Sequence, residues 1–531
     1  MLPGRSMYEG LEMIIAWDGA LTLAAPLVAI ALALATRKVI PSLAAGVFVG
    51  ALVGAHADVI LATQNLVTFS LDILRAPDKI LICLFSLLVA GTVGVMGRSG
   101  GTRALVQRVE VFAKGRRGAM TSSWLAGAIV FFDDYANCLV VGSAMGPVVD
   151  RFRVSRAKLA YIVDATAAPV ASLALVSTWV GYEVSMIAEN TPVAGANGFN
   201  IFLQALPYRF YCILTLFFVG AIALTGRDFG PMARAEQKAF LAPPPEPSDT
   251  KERRPTYLSL AAVPIAILVV GTFALMFRAG WMALGPAAAS ASPLAIMSAV
   301  EDPYTPMFLG SVGAFSAASG LALATRTLTP INVWRGAWGG MKVVLSALAI
   351  LFFAWLLSDV IKATHAREFI ATALEGRLDP WLLPTLTFLL ACATAFATGS
   401  SFSTMGVLIP IVIPLAYELD SGMGPIFLAS CAAVLDGAVL GDHASPISDT
   451  TVLSSIGANV DVVTHVRTQL PYVLAVGVVA VLVGSLPAGL GWSPWLLLPL
   501  GGLCCVAIVR LLGSEPVPAE PRPAQPSPTP Q

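Results

Sequence analysis

The chain has 531 residues, of which 56% are hydrophobic and 12% charged, with a formal net charge of zero. A soluble protein carries about a quarter charged residues, so the composition excludes a soluble globular protein and predicts an integral membrane protein. The balanced charge leaves no basic footprint for nucleic acid.

At the N-terminus, "MLPGRSMYEGLEMIIAWDG" is not basic ahead of the apolar run 19–36, and Arg37 and Lys38 follow that run directly. This segment reads as a retained span and not as a signal peptide. Charge-free runs at 80–97, 257–277, 343–358 and 468–509 read as further spans, the last being long enough for two at roughly 20 residues each. Lys and Arg gather at 98–117, 151–158, 227–254 and 326–342, whereas 285–303 lacks them. The positive-inside rule makes the basic clusters cytoplasmic. It predicts a multi-pass protein of the cell (inner) membrane with its N-terminus outside and its C-terminal tail in the cytoplasm.

Between the first two clusters lie two charge-free pieces, 118–132 and 135–149, divided by Asp133 and Asp134. At about 1.5 Å per residue neither crosses a core roughly 30 Å thick. Since both outer ends are cytoplasmic, the segment 118–149 is expected to be a re-entrant hairpin with "FFDDYANC" at its tip. A span over 159–186 follows, carrying a polar break at "DATAAP", and one more span completes a first membrane repeat over 1–227. The linker 228–256, with "APPPEPSDTKERRP", is too rich in Pro and charge to read as a packed element.

The second repeat, 257–512, takes the same order from the opposite face. It holds a hairpin over 380–417 interrupted by "ATGSSFST", a broken span over 425–456, and one extra span. Two full spans over 380–417 would also return to the same face, and the hairpin is favoured there by analogy. The tail 513–531 is Pro-rich and reads as disordered. The fold class expected is an all-α polytopic membrane protein built from two inverted-topology repeats, each with a re-entrant helical hairpin and a broken transmembrane helix, with about eleven spans plus the two hairpins. The seven cysteines are scattered; Cys504 and Cys505 are adjacent in an apolar segment without zinc or redox spacing, and all are expected to pack as small hydrophobes.

Inverted halves with broken helices describe secondary transporters, and unwound backbone survives at membrane depth only inside protein or beside a wet cavity. Just ahead of and within "LGDHASPISDTTVLSS" (440–455), Gly437, Gly441 and Pro446 weaken the helix. Intramembrane acids are costly, and a functional role is the default reading. Asp436, Asp442 and Asp449, with the hydroxyls of Ser445, Ser448, Thr450 and Thr451, offer oxygen ligands to a hard cation. A desolvated carboxylate can hold a proton instead, so one group can bind sodium or a proton but not both. The alternative for Asp442 and Asp449 is a buried structural pair or a helix-end cap.

At the first tip, Asp133 and Asp134, supported by Tyr135 and Asn137, are expected in the ion path; the alternative is an anchor to a neighbouring Lys or Arg. Asp164 joins them unless it pairs with Lys158, and Thr166 and Pro169 favour the break. At the second tip, Thr398, Ser400, Ser401, Ser403 and Thr404 suit substrate contact, or else close helix packing. The sodium ligands expected are Asp442, Asp449, Asp133 and Asp134. His443 is read as ligand or scaffold, Glu183 beside Trp179 as an interfacial residue, and His56, His365 and His465 as isolated and ordinary.

Three segments, "GDHASPISDTTVLSS", "FFDDYANCLVVGSAMGPVVDRFRVSRAKLAYIVDATAAPV" and "ATGSSFSTMGVLIPIVIPLA", resemble signature segments of the NhaC-type sodium/proton antiporter family, within the wider ion transporter superfamily. The resemblance spans roughly 94–470. It implies a membrane exchanger of sodium for protons, energised by an existing gradient, without ATP or any cofactor and not an enzyme. Carried over by position, it points to Asp133, Asp134, Asn137, Asp164, Asp442, His443, Ser445, Pro446, Ser448, Asp449 and Thr450; Ala444 stands where members often carry Cys or another small residue. Relatives of that family move organic acids or amino acids with sodium, which makes a sodium-coupled carrier of a small organic solute the runner-up. An intramembrane aspartyl protease fits poorly, because "GAVLGD" lacks the GxGD spacing. The partners expected are sodium, protons and the lipid bilayer, with self-association into a homo-oligomer left open.

Overall fold

In a bilayer core every backbone polar group must find its partner within protein, which a helix achieves within its own segment. Accordingly, in the computed structural model, which describes residues 19, 21–193, 195–242, 257–366, 369 and 378–517, every regular element among the described residues is helical. Nine of these helices are long and apolar enough to cross a membrane, or up to 11 counting two bent pairs. Two of the nine, Pro380–Thr398 and Ser401–Leu419, are the arms of a hairpin joined at Gly399 and Ser400.

The first half begins with α1 (Leu21–Thr36) and α2 (Val39–Gly54), packed with Gly46 and Gly50 against Ala25. Helix α3 (Val59–Arg75) turns 120° from α2 and leaves Ile60, Val67 and Leu74 exposed. Helix α4 (Pro77–Ser99) crosses, α5 (Gly101–Glu110) is short, and the hairpin follows as α6 (Arg116–Ile129) and α7 (134–151), the latter with a π turn at Asn137–Val141. The broken span is α8 (Arg156–Leu173) and α9 (Val180–Asn190). A bent span, α10 (Gly198–Tyr208) and α11 (Phe210–Thr225), leads into α12 (Gly230–Leu241).

The second half has three crossings, α13 (Ser259–Ser290), α14 (Tyr304–Ala324) and α15 (Pro330–Ala363). Its hairpin is α16 (Pro380–Thr398) and α17 (Ser401–Leu419), its broken span α18 (Pro425–Ala444) and α19 (Asp449–Ala458), and α20 (Val462–Gly489) and α21 (Pro494–Leu512) complete it. Close approach of α4 and α15 rests on small residues, as is usual between membrane helices: a Cβ on Gly94 would overlap the carbonyl of Gly336, and one on Gly340 that of Ala90.

Polar contacts define two faces. On the linker face, Arg116 bonds both the carbonyl of Arg153 and the carboxylate of Glu236, which also accepts Ser155 N at 2.9 Å, so the two ends of the first hairpin meet α12. Asp228 and Ser514 exchange backbone bonds of 3.0 and 2.9 Å, and Arg156 reaches Ala458 O at 3.3 Å. The second hairpin ends on the opposite face, where Asp420 accepts Phe427 N at 2.9 Å and Gly489 lies against Trp381.

Two expectations are corrected here. The start of the linker is packed, with Asp228 and Glu236 almost fully buried, because its charges are paired with Lys158 and Arg116. The Pro-rich stretch 243–256, residues 1–18 and the tail 518–531 lie outside the described residues. The first broken span does not open at "DATAAP": α8 runs through Pro169, and the chain leaves the helix at 174–179. One proline removes a single donor, and the surrounding helix is buried on all sides. At 174–179, Ser177 Oγ donates to Ala171 O at 2.7 Å and accepts Trp179 N and Val180 N at 3.1 and 3.3 Å, which replaces the helical bonds lost there. In the second half the break falls between Ala444 and Asp449, around Pro446.

Candidate ion and substrate site

The first hairpin tip is shaped by helix-end chemistry. Past Ile129 the chain turns through Phe131 and Phe132 to Asp133, whose backbone is extended and whose Oδ1 accepts Ala136 N at 2.7 Å and caps the returning arm. The carbonyls left open where α6 ends must be satisfied inside protein. Asn137 Nδ2 lies 2.8 Å from Gly127 O, 3.2 Å from Val130 O and 2.8 Å from Thr166 O. Thr178 N donates to Phe132 O at 3.1 Å, which fastens the tip to the break between α8 and α9.

The second tip repeats this scheme. Gly399 has φ 67°, a left-handed conformation that favours glycine, and its N–H bonds Ala395 O at 2.8 Å. Ser400 caps Ser403 N at 3.3 Å. Thr398, Ser403 and Thr404 turn their hydroxyls onto nearby carbonyls, at 2.8, 2.9 and 3.1 Å. Ser401 Oγ donates to Ala438 O at 3.2 Å and Ser445 Oγ to Phe396 O at 2.8 Å, so this tip is fastened to the break between α18 and α19.

Each broken span then grips the hairpin of the other half. Tyr182 on α9 donates to Phe402 O at 2.7 Å, and Trp179 lies 4.6 Å from the Phe402 ring. In the mirrored contact, Tyr135 Oη donates to Asp449 Oδ2 at 3.3 Å, Ser454 Oγ meets Cys138 Sγ at 3.1 Å, and Gly457 packs on Cys138 and Gly142. The partners in these pairs are 220 or more residues apart in sequence.

Between the two tips lies a cavity of about 370 Å³. Asp133, Asp134, Asp449, Thr178, Thr398 and Ser400 line it, together with Tyr135, the middle of α15 and Arg37 from the α1–α2 turn. Asp442 is buried behind this lining, with Oδ2 3.4 Å from Thr450 Oγ1 and the Ser448 and Thr450 hydroxyls 3.0 Å apart. Carboxylate and hydroxyl oxygens of this kind are ligands for a hard cation.

Asp164, Asp436 and His443 lie outside the cavity lining. Asp164 Oδ2 accepts His465 Nε2 and Gln469 Nε2, each at 3.1 Å, and Thr451 Oγ1 at 3.3 Å. Lys158, considered as its partner, pairs with Asp228 instead. His465 is therefore not isolated; its partner is 301 residues away along the chain, a distance that local patterning does not reach. His443 Nδ1 meets Tyr211 Oη at 2.8 Å, and its carbonyl accepts Gln469 Nε2 at 2.8 Å. Asp436 accepts Arg209 Nε at 2.7 Å and Tyr211 N at 2.6 Å.

Glu183 is also corrected. It is 0% exposed and not interfacial; Ser172 donates to it at 2.5 Å and Arg209 stands 3.8 Å away. The sequence reading passed over Arg209, although a lone charge between the apolar stretches 198–208 and 210–225 is the signal that marks a buried ion pair in a membrane.

Comparison with known proteins places these features in context. The model of the Na+/H+ antiporter family matches residues 170–486. A Haemophilus influenzae protein of unassigned function is 32% identical over 483 residues, covering 88% of this chain and 90% of that protein. The malate-2H(+)/Na(+)-lactate antiporter of Bacillus subtilis is 30% identical over 140 residues, 26% of this chain and 27% of the antiporter. Among solved structures, MtrF of Neisseria gonorrhoeae, described as one of a class of antimetabolite efflux pumps, aligns with a TM-score of 0.51 at 17% identity, covering 83% of this chain and 85% of MtrF.

Proposed function

The chain belongs to the Na+/H+ antiporter family, and from that premise we propose that it exchanges sodium for protons by alternating access across the cell membrane. The observation that carries this reading is the convergence of Asp133, Asp134 and Asp449 on one cavity between the two hairpin tips. Asp442 stands one layer behind, among hydroxyls. Ionised, these carboxylates hold sodium with the hydroxyls of the breaks; protonated, they release it. Sodium and proton are the cargo, and their gradients supply the energy, with no cofactor and no chemical step.

In this reading the linker face is cytoplasmic, because Arg116, Arg117, Arg153, Arg156 and Arg227 gather there. Flux into sealed vesicles, with internal pH recorded while sodium is added outside, tests the exchange.

A second reading has its own support. The cavity volume of about 370 Å³ and the presence of Arg37 on its lining suit a small organic anion better than a bare cation, and the Bacillus subtilis relative bears the name of a malate and lactate antiporter. In that reading sodium flux depends on an organic solute.

A further inference from the structure

Behind the cavity, on the side of the linker face, a second polar group is closed off from it. Asp164, His465 and Gln469 are each 1% exposed or less and His443 is 2% exposed. Asp164 Oδ2 receives three donors, from His465, Gln469 and Thr451, while its Oδ1 has no hydrogen-bond partner among the described residues. In the same network His465 Nδ1, Gln469 Oε1 and His443 Nε2 also lack one. An ionised carboxylate oxygen without a partner at this depth is expensive, and so is an orphaned ring nitrogen. A proton removes the charge: with the hydrogen-bond proton alone, carboxylate and neutral imidazole carry one negative charge, and one further proton makes the pair neutral overall.

The position of the pair fits transfer. Asp442 Oδ2 is 3.4 Å from Thr450 Oγ1; Thr451, next in sequence on α19, has its Oγ1 3.3 Å from Asp164 Oδ2, which is 3.1 Å from His465 Nε2, and among the described residues the two threonine hydroxyls are not bonded to each other. His465 stands in the first turn of α20, which begins after three residues of turn that follow Ala458, the residue held by Arg156 at the linker face. The other titratable groups facing the pair are His443 on α18, Tyr161 on α8 itself, Cys138 in the first hairpin and Asp442.

We propose that Asp164 and His465 form a proton-transfer pair that carries protons between the carboxylates of the second broken span and the linker face, apart from the sodium route through the cavity. The pair passes on a proton and coordinates no sodium. This rests on the sodium/proton reading above.

The test compares wild-type protein with Asp164→Asn and His465→Gln in sealed vesicles. Two fluxes are measured, sodium-driven proton efflux and exchange of radioactive sodium for unlabelled sodium. The first requires proton transfer and the second does not. Each variant keeps a hydrogen-bonding side chain and loses the titratable group, so proton efflux is expected to fall at least tenfold with sodium–sodium exchange within about twofold of wild type. Unchanged proton efflux in both variants overturns the relay while leaving the antiport reading intact. Equal loss of both fluxes also overturns it, because the pair would then belong to the sodium site or to the scaffold. Absence of sodium-driven proton efflux in the wild-type protein would overturn the antiport reading and the relay with it.

Discussion

Tyr135, at the tip of the first hairpin, donates a hydrogen bond of 3.3 Å to Asp449, the first residue of α19 in the other half of the chain. Both residues line the cavity, so this contact joins the two repeats at the place where cargo would sit.

Loss of this donor gives the first prediction. Tyr135→Phe keeps the ring and removes the hydrogen bond that orients the Asp449 carboxylate toward the cavity as a sodium ligand. A single bond of this length contributes about 1 kcal/mol, so apparent sodium affinity is expected to weaken about fivefold near neutral pH, with the maximal rate little changed. An unchanged affinity would detach Asp449 from sodium binding.

The carboxylates themselves give the second prediction. Asp442→Asn and Asp449→Asn preserve shape and abolish titration, and each is expected to eliminate coupled exchange while the protein still inserts and folds. Thermal stability in detergent is expected to hold or rise for Asp442→Asn, since that buried charge is costly to desolvate. Wild-type exchange in both variants would make these groups structural.

Topology gives the third. Arg116 bonds the backbone of Arg153 and shares Glu236 with Ser155, so the two ends of the first hairpin lie side by side. Single cysteines introduced at Lys114 and Arg153 are expected to react with an impermeant reagent from one and the same side of the membrane, the cytoplasmic one. Labelling from opposite sides would make the segment a full span and remove the inverted repeat.

The fourth concerns Arg209, which is buried with Asp436 and Glu183. Removing one partner of a buried ion pair strands a charge at a cost of about 3–5 kcal/mol. Arg209→Met is therefore expected to lower the yield of folded protein and its melting temperature. Asp436→Asn added to it should recover part of the loss, because the amide oxygen can still accept Tyr211 N. Full stability of the single variant would mean that the cluster contributes little.

Much of this architecture was legible in the chain. Basic clusters on both sides of 118–149 and the shortness of its two apolar pieces foretold a hairpin, and Pro446 among Gly and Asp foretold the second break. What escaped is instructive in physical terms. Pro169 suggested a break that packing overrode, and the actual opening at 174–179 is stabilised by one serine, Ser177, in a stretch with no charge. Glu183 and His465 look interfacial and isolated in sequence because their surroundings are set by Arg209, at the bend between α10 and α11, and by Asp164 on α8. The sequence groups Asp133, Asp134, Asp442 and Asp449 as one set of sodium ligands; that Asp442 stands behind the cavity, and Asp436 and Asp164 away from it, depends on helix rotation, which side-chain spacing across a break does not specify.

Competition between sodium and protons is the most direct measurement. Linkage requires that if protons weaken sodium binding, sodium weakens proton binding by the same factor. In sealed vesicles with the membrane potential clamped at zero, sodium added outside should drive protons outward. Its apparent affinity should weaken as pH falls, by about tenfold per pH unit where one proton competes with one sodium. Sodium uptake that requires an organic solute, moves no protons and keeps the same affinity across that pH range would contradict the exchange.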